Sequence, residues 1–120
     1  IILKMRGGMI MYKQLDIVLM PFPFNDLTSN KVRPAIIISN SNLKNDKICL
    51  LITSKKSNEG IELTKNFVDK DLPLQSWVKP HRIFTIDETK ILKKISHGNK
   101  KLYELLKNDI ELILKVEKCI

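Results

Sequence analysis

Short apolar runs separated by turn-forming residues fill the first two-thirds of the chain, and a helical repeat fills the rest. Residues 16–20 form a β-rich run that Pro21 and Pro23 stop, since proline supplies no ladder donor. Residues 25–31 are polar and read as an exposed loop. Residues 33–39 form a second strand, whose unbroken β-branched run implies burial on both faces. An Asn/Ser/Asp-rich turn leads to a third buried strand at 48–53. Residues 61–64 alternate as a half-buried strand does. A loop carrying Pro73 spans 69–74. A longer strand at 76–86 is interrupted at Pro80, which marks a bulge or an unpaired edge position. Residues 87–90 predict one helical turn before a last strand at 91–95.

Gly98 breaks the strand pattern, and Asn99 is a suitable N-cap. Behind it Leu102, Leu106, Ile110 and Ile113 recur at spacings of four, four and three, and Leu105, Leu112 and Val116 widen the stripe. That spacing predicts one amphipathic helix docked on the sheet. Five to seven short strands and a closing helix make the fold mainly β: a compact curled barrel with a C-terminal helix. Neither a repeat nor a linker divides the chain. Residues 1–11, with Met5, Met9 and Met11 crowded together, precede the pattern and read as a poorly ordered leader. Residues 12–120 read as one domain.

Composition narrows the class. At 120 residues and 43% apolar, the chain suits one small globular domain, its core resting on Ile, Leu and Val because aromatics are 6%. The formal charge of +8 favours polyanionic partners, nucleic acid above all, although a Lys-rich coding bias would also produce it. Two cysteines make neither a disulfide framework nor a metal cluster. Cys49 sits in an apolar run as a small core residue, Cys119 has no visible role, and a reducing compartment follows. No apolar run approaches membrane-spanning length, so the expectation is a cytoplasmic protein.

The usual catalytic signatures are missing. The four glycines form no phosphate loop, His81 and His97 are not spaced as a ligand pair, and no nucleophile elbow occurs. No metal or cofactor is implied. What remains is chemistry by Arg, Lys, His, Thr and Ser. RNA brings its own nucleophile, the 2′-hydroxyl, so a protein needs a proton acceptor, a proton donor and fixed positive charge. Arg33 heads a buried strand beside a polar loop, where a guanidinium suits phosphate oxygens; a strand-end surface charge would look the same. Thr53 and Ser54 end the next strand, followed by Lys55 and Lys56, and a plain strand-to-turn pair is the alternative. Lys79, His81 and Arg82 place three potentially cationic groups in four residues. Regular alternation would put Lys79 and His81 on one face unless Pro80 disrupts it. His81 has the ordinary pKa suited to neutral proton transfer, and a solvated histidine would look identical. Trp77 could stack a base, but core packing is the simpler reading.

The order of segments resembles the MazF/PemK toxin family. Asp16-Ile17-Val18-Leu19-Met20-Pro21-Phe22-Pro23-Phe24-Asn25-Asp26-Leu27, then Lys31-Val32-Arg33-Pro34-Ala35-Ile36-Ile37-Ile38-Ser39, looks like its opening. Ile52-Thr53-Ser54, Ser76-Trp77-Val78 through Phe84-Thr85-Ile86-Asp87, Lys93-Lys94-Ile95 and the final helix follow in order. The resemblance implies a curled SH3-like β-barrel of MazF/CcdB type and a homodimer. It also implies metal-independent, sequence-selective cleavage of single-stranded RNA to 2′,3′-cyclic phosphate and 5′-hydroxyl ends. A labile antitoxin with a disordered tail is implied as partner. Arg33 matches the family's catalytic Arg and Thr53 its catalytic Thr. Asn25, Lys31, Ser54, Lys55, Lys56, Lys79 and Arg82 are then candidate RNA contacts. Two departures stand out. The family's Gly before Asp-Ile-Val is Leu15, and Lys79 and His81 stand where PemK-like members carry an Arg and an Asp, which leaves His81 as an acid/base candidate. A gyrase-binding poison of CcdB type and a non-catalytic RNA-binding barrel are the alternatives.

Overall fold

The computed structural model describes residues 11–21 and 31–118. The leader up to residue 10, the loop at 25–30 with Asn25, and Cys119 lie outside the described residues. Among the described residues six strands appear in order: β1 Asp16–Pro21, β2 Val32–Ile37, β3 Asp46–Thr53, β4 Ile61–Glu62, β5 Trp77–Asp87 and β6 Lys93–His97. A 3₁₀ turn, Glu88–Lys90, separates β5 from β6, and helix α1, Lys100–Ile113, follows. All pairings are antiparallel, in the order β4-β5-β3-β2-β1-β6, and the sheet curls into a half-barrel.

The continuous apolar runs are explained by burial on both faces. Val18, Met20, Ala35, Ile37, Cys49, Phe84, Ile86 and Ile91 form one cluster. Ile17, Ile36, Leu50, Ile52 and Val78 form the other, against Leu102 and Leu106 of α1. Consecutive residues Ile17 and Val18, and Ala35 to Ile37, are therefore all fully buried. The turn expected at 39–47 ends sooner, since β3 begins at Asp46; it closes the β2–β3 hairpin, with Ile38 N–H donating to the Ile48 carbonyl and Ile48 N–H to Ser39 Oγ.

Several boundaries differ from the sequence expectation. The strand expected at 61–64 keeps two paired residues: the Leu63 N–H bond to the Ser76 carbonyl follows the same register, and Thr64 N–H then turns back to the Glu62 carbonyl. The last strand begins at Lys93 because Ile91 closes the 3₁₀ turn, its N–H donating to the Glu88 carbonyl. In α1 the stripe docks through Leu102, Leu106 and half-buried Ile110, but Leu105, Leu112, Ile113 and Val116 are exposed. The helix outruns the sheet it packs on. Asn99 is its N-cap, its side chain accepting from Leu102 N–H.

The segment between β4 and β5 crosses the helix-side face. Leu63, Phe67, Val68 and Leu72 pack on that cluster. Val68 forms a bridge with Gly98, Asn99 Nδ2 donates to the Asn66 carbonyl, and Asp69 accepts from His97 N–H at 2.9 Å. Ser96 Oγ, buried, lies 3.1 Å from Asp69 Oδ1 and 2.7 Å from the Lys70 carbonyl. Under this staple, buried Asp16 accepts from Lys13 N–H and meets His97 Nδ1 at 2.8 Å and Lys94 Nζ at 3.2 Å.

Candidate nucleic-acid interface

The β2–β3 and β3–β5 registers assemble the site. The β2–β3 ladder ends at Ala35–Leu51, and continuing its register by two residues aligns Arg33 with Thr53. Arg33 also pairs with Met20 on β1, and Thr53 with Trp77 on β5. Opposed residues of antiparallel strands point to the same face. One row therefore crosses four strands: Met20, Arg33, Thr53, Trp77. Its ends, Met20 and Trp77, are buried, while Arg33 and Thr53 are half-buried. The single Trp packs in the core.

Thr53 terminates β3 in a local turn, its Oγ1 accepting from Lys55 N–H at 3.1 Å. That bond orients the hydroxyl and leaves its proton to donate. Ser54, Lys55 and Lys56 follow, all exposed. Lys31 is exposed just before β2. Lys79 pairs with Leu51, in the next row on the same face as Arg33 and Thr53.

Pro80 does mark a bulge. Leu50 pairs with Ile83 but Leu51 with Lys79, so residues 80–82 have no partner on β3. Pro80 turns inward and is buried, whereas His81 and Arg82 are exposed on the bulge. The regular alternation that would align His81 with Lys79 does not hold, because three residues intervene without pairing.

Sequence reasoning missed a recess at the same end of the sheet. It has a volume of about 310 Å³ and is lined by Leu19, Pro34, Ile52, Ile95 and the Leu72–Leu74 stretch, with Arg33, Ser54, Ser76 and Lys93. Leu19, Pro34 and Ile52 belong to the helix-side face by register, so Arg33 stands where the two faces meet. Ser76 and Lys93 carry no local signal; the crossing segment brings them together. Its anchor is electrostatic as well as apolar. Partial desolvation would raise the Asp69 carboxyl, but the bonds from Ser96 and His97 N–H outweigh it and hold its pKa below the ordinary value.

Cys49, fully buried, has its thiol pushed up to about 12, chiefly by desolvation, with Lys47 opposing weakly. It is a core residue. Among the described residues no helix is long and apolar enough to cross a membrane.

Comparison with known proteins bears on this arrangement. Among curated proteins no sequence relative matches. Solved structures share the fold at low identity. A MazE–MazF complex from Deinococcus radiodurans aligns with TM-score 0.72 at 12% identity, over 90% of this chain and 99% of the other. A mycobacterial endoribonuclease in complex with its cognate antitoxin aligns with TM-score 0.67 at 12% identity, over 90% and 99%. The Mycobacterium tuberculosis toxin MazF-mt6 aligns with TM-score 0.66 at 14% identity, over 86% and 99%. The profile of the PemK-like, MazF-like toxins of type II toxin–antitoxin systems matches residues 13–114, which span all six strands and α1, and the chain belongs to that family.

Proposed function

We propose that the chain is the toxin of a toxin–antitoxin pair and acts as a metal-independent, sequence-selective endoribonuclease on single-stranded RNA. The observation that carries this reading is the β2–β3 register, which continued by two residues aligns Arg33 with Thr53 and leaves Lys79 in the next row, in a member of this toxin family. The 2′-oxygen attacks the adjacent phosphorus as its proton passes to a base. The bond from phosphorus to the 5′-oxygen then breaks, and that oxygen takes up a proton, leaving 2′,3′-cyclic phosphate and 5′-hydroxyl ends. Arg33 offers a planar, permanently charged fork to the nonbridging oxygens, where charge accumulates in the crowded phosphorane. The Thr53 hydroxyl donates to one of these oxygens. Lys79 adds a point charge, and His81 on its exposed bulge is the candidate proton carrier.

Lys31, Ser54, Lys55, Lys56 and Arg82 serve the flanking phosphates in this reading, as does Asn25, which lies outside the described residues. The protein works in the cytoplasm as a homodimer and is held inactive by a cognate antitoxin, in keeping with the complexes formed by its structural neighbours. Family membership leaves the gyrase-poison alternative without a supporting observation. The displaced His81 favours one second reading, an RNA-binding barrel that does not cut.

Incubation of purified protein with mixed-sequence RNA and a chelator separates the two. Cleavage with 5′-hydroxyl ends is expected, and Arg33→Ala should lower it by about 10²-fold or more while leaving the thermal transition in place. Intact RNA bound tightly by the wild type would establish the non-cutting barrel instead.

A further inference from the structure

The recess beside Arg33 has no part in the cleavage chemistry above. Folded interiors are close-packed, and an apolar hollow of about 310 Å³ stands at the small end of ligand-pocket sizes. It is large enough for one flat ring system. Its walls are apolar: Leu19, Ile52 and Ile95 from the sheet, Leu72 and Leu74 from the crossing segment. Among the described residues, the two charged ones that line it, Arg33 and Lys93, are both cations. An occupant that joins an apolar planar ring to a neighbouring anion satisfies both features, and a nucleobase with its flanking phosphate has that chemistry. The wall also carries a polar mark. Ser76, buried, donates its hydroxyl proton to the Leu74 carbonyl at 2.8 Å, so its oxygen offers lone pairs as an acceptor. Location fits as well, since Arg33 contributes both to the row with Thr53 and to the recess, so a strand bent over that sheet end spans the two.

We propose that this recess receives one base of the RNA and sets part of the cleavage sequence, with Leu74 and Ser76 as specificity-determining residues. The identity of the ligand rests on the ribonuclease reading; the test uses binding and does not need cleavage. Leu74 is 65% exposed on the crossing segment, so Leu74→Trp fills the hollow without entering the core. Leu74→Ala, which removes the wall, serves if the Trp variant folds poorly.

The probe is a single-stranded oligonucleotide selected for binding from random sequence. It is made 2′-deoxy throughout so that it cannot be cut, and is prepared with one abasic site at each position in turn. For the wild type, one abasic position is expected to weaken binding about tenfold, the scale of a stacked base. In Leu74→Trp the intact strand should bind about tenfold more weakly, with the penalty at that position gone. Absence of such a position, or a penalty that survives in both variants, overturns the proposal. So does a Leu74→Trp protein that binds RNA normally but loses an acidic antitoxin peptide, since the recess would then anchor a protein. A wild type with the position-specific penalty but no cleavage of RNA would sink the ribonuclease reading and leave the base pocket standing.

Discussion

Leu15 has a φ of +75°, a left-handed conformation that costs a residue with a Cβ about 1–2 kcal/mol. Neighbours hold it there. Its N–H donates to the Ile37 carbonyl and its own carbonyl accepts from Gly98 N–H, so the turn joins β2 to the start of α1. Its side chain meanwhile packs on the helix-side cluster. The glycine that the family resemblance places before Asp-Ile-Val is thus explained by backbone geometry, and Leu15 exchanges that freedom for packing. Both Leu15→Ala and Leu15→Gly lose the packing, but Gly alone removes the strain. Leu15→Gly should therefore be more stable than Leu15→Ala by about 1 kcal/mol in urea unfolding, the reverse of the usual order. Ala equal to or above Gly would mean that the turn relaxes to negative φ. Cys49 gives a second test at this scale. With its thiol pushed up to about 12, it stays neutral and unreactive in the folded state. In a Cys119→Ser background, a thiol reagent at pH 8 should label Cys49 at the rate of unfolding, and prompt labelling of the native protein would contradict its burial. The sign for stability follows. The unfolded thiol ionises near 9 and the folded one near 12, so this group's contribution is complete below 9 and declines as pH rises towards 12.

At the scale of elements, periodicity made the helix legible, together with its cap at Asn99 and the face it turns to the sheet. It did not show where the sheet beneath that face ends. Leu106 is fully buried, whereas Leu112, on the expected stripe, is 68% exposed. Leu106→Ala should cost about 2–5 kcal/mol, as large-to-small core changes do, and Leu112→Ala less than about 0.5 kcal/mol. Comparable losses would require a partner surface over the end of α1. Strand β5 teaches the same lesson. Pro80 marked an interruption, because proline cannot donate to the ladder. The three-residue extent of the bulge was hidden, since it depends on how far the curling sheet shifts Lys79 and Ile83 relative to Leu51 and Leu50. The face that regular alternation would give His81 is the one that the bulge at Pro80 removes.

For the whole molecule, Arg33 and Thr53 were legible as strand ends that match a family pattern, but their common face is a property of register. A one-residue slip between β2 and β3 would send them to opposite faces, and the hairpin closure at Ile38 and Ile48 fixes the count. The recess was invisible for a related reason: Ser76 and Lys93 line one hollow only once the segment between β4 and β5 lies across the sheet, where Asp69 and Ser96 staple it. Net charge of +8 says that a polyanion is attracted, without saying where. Salt dependence can localise it. Each cation that neutralises a phosphate of a single strand contributes about −0.7 to the slope of log affinity against log salt. Lys55 and Lys56 are exposed beside Thr53, with no acidic partner among the described ion pairs, so both are available to an incoming backbone. The double variant Lys55→Ala, Lys56→Ala should flatten the slope for a non-cleavable strand by about 1.4 while leaving base preference intact. Lys100→Ala, Lys101→Ala at the exposed start of α1 removes the same charge and should leave the slope unchanged. Equal flattening by both pairs would mean that the strand is held by diffuse attraction, and the interface built on Arg33 and Thr53 would lose its claim to position it.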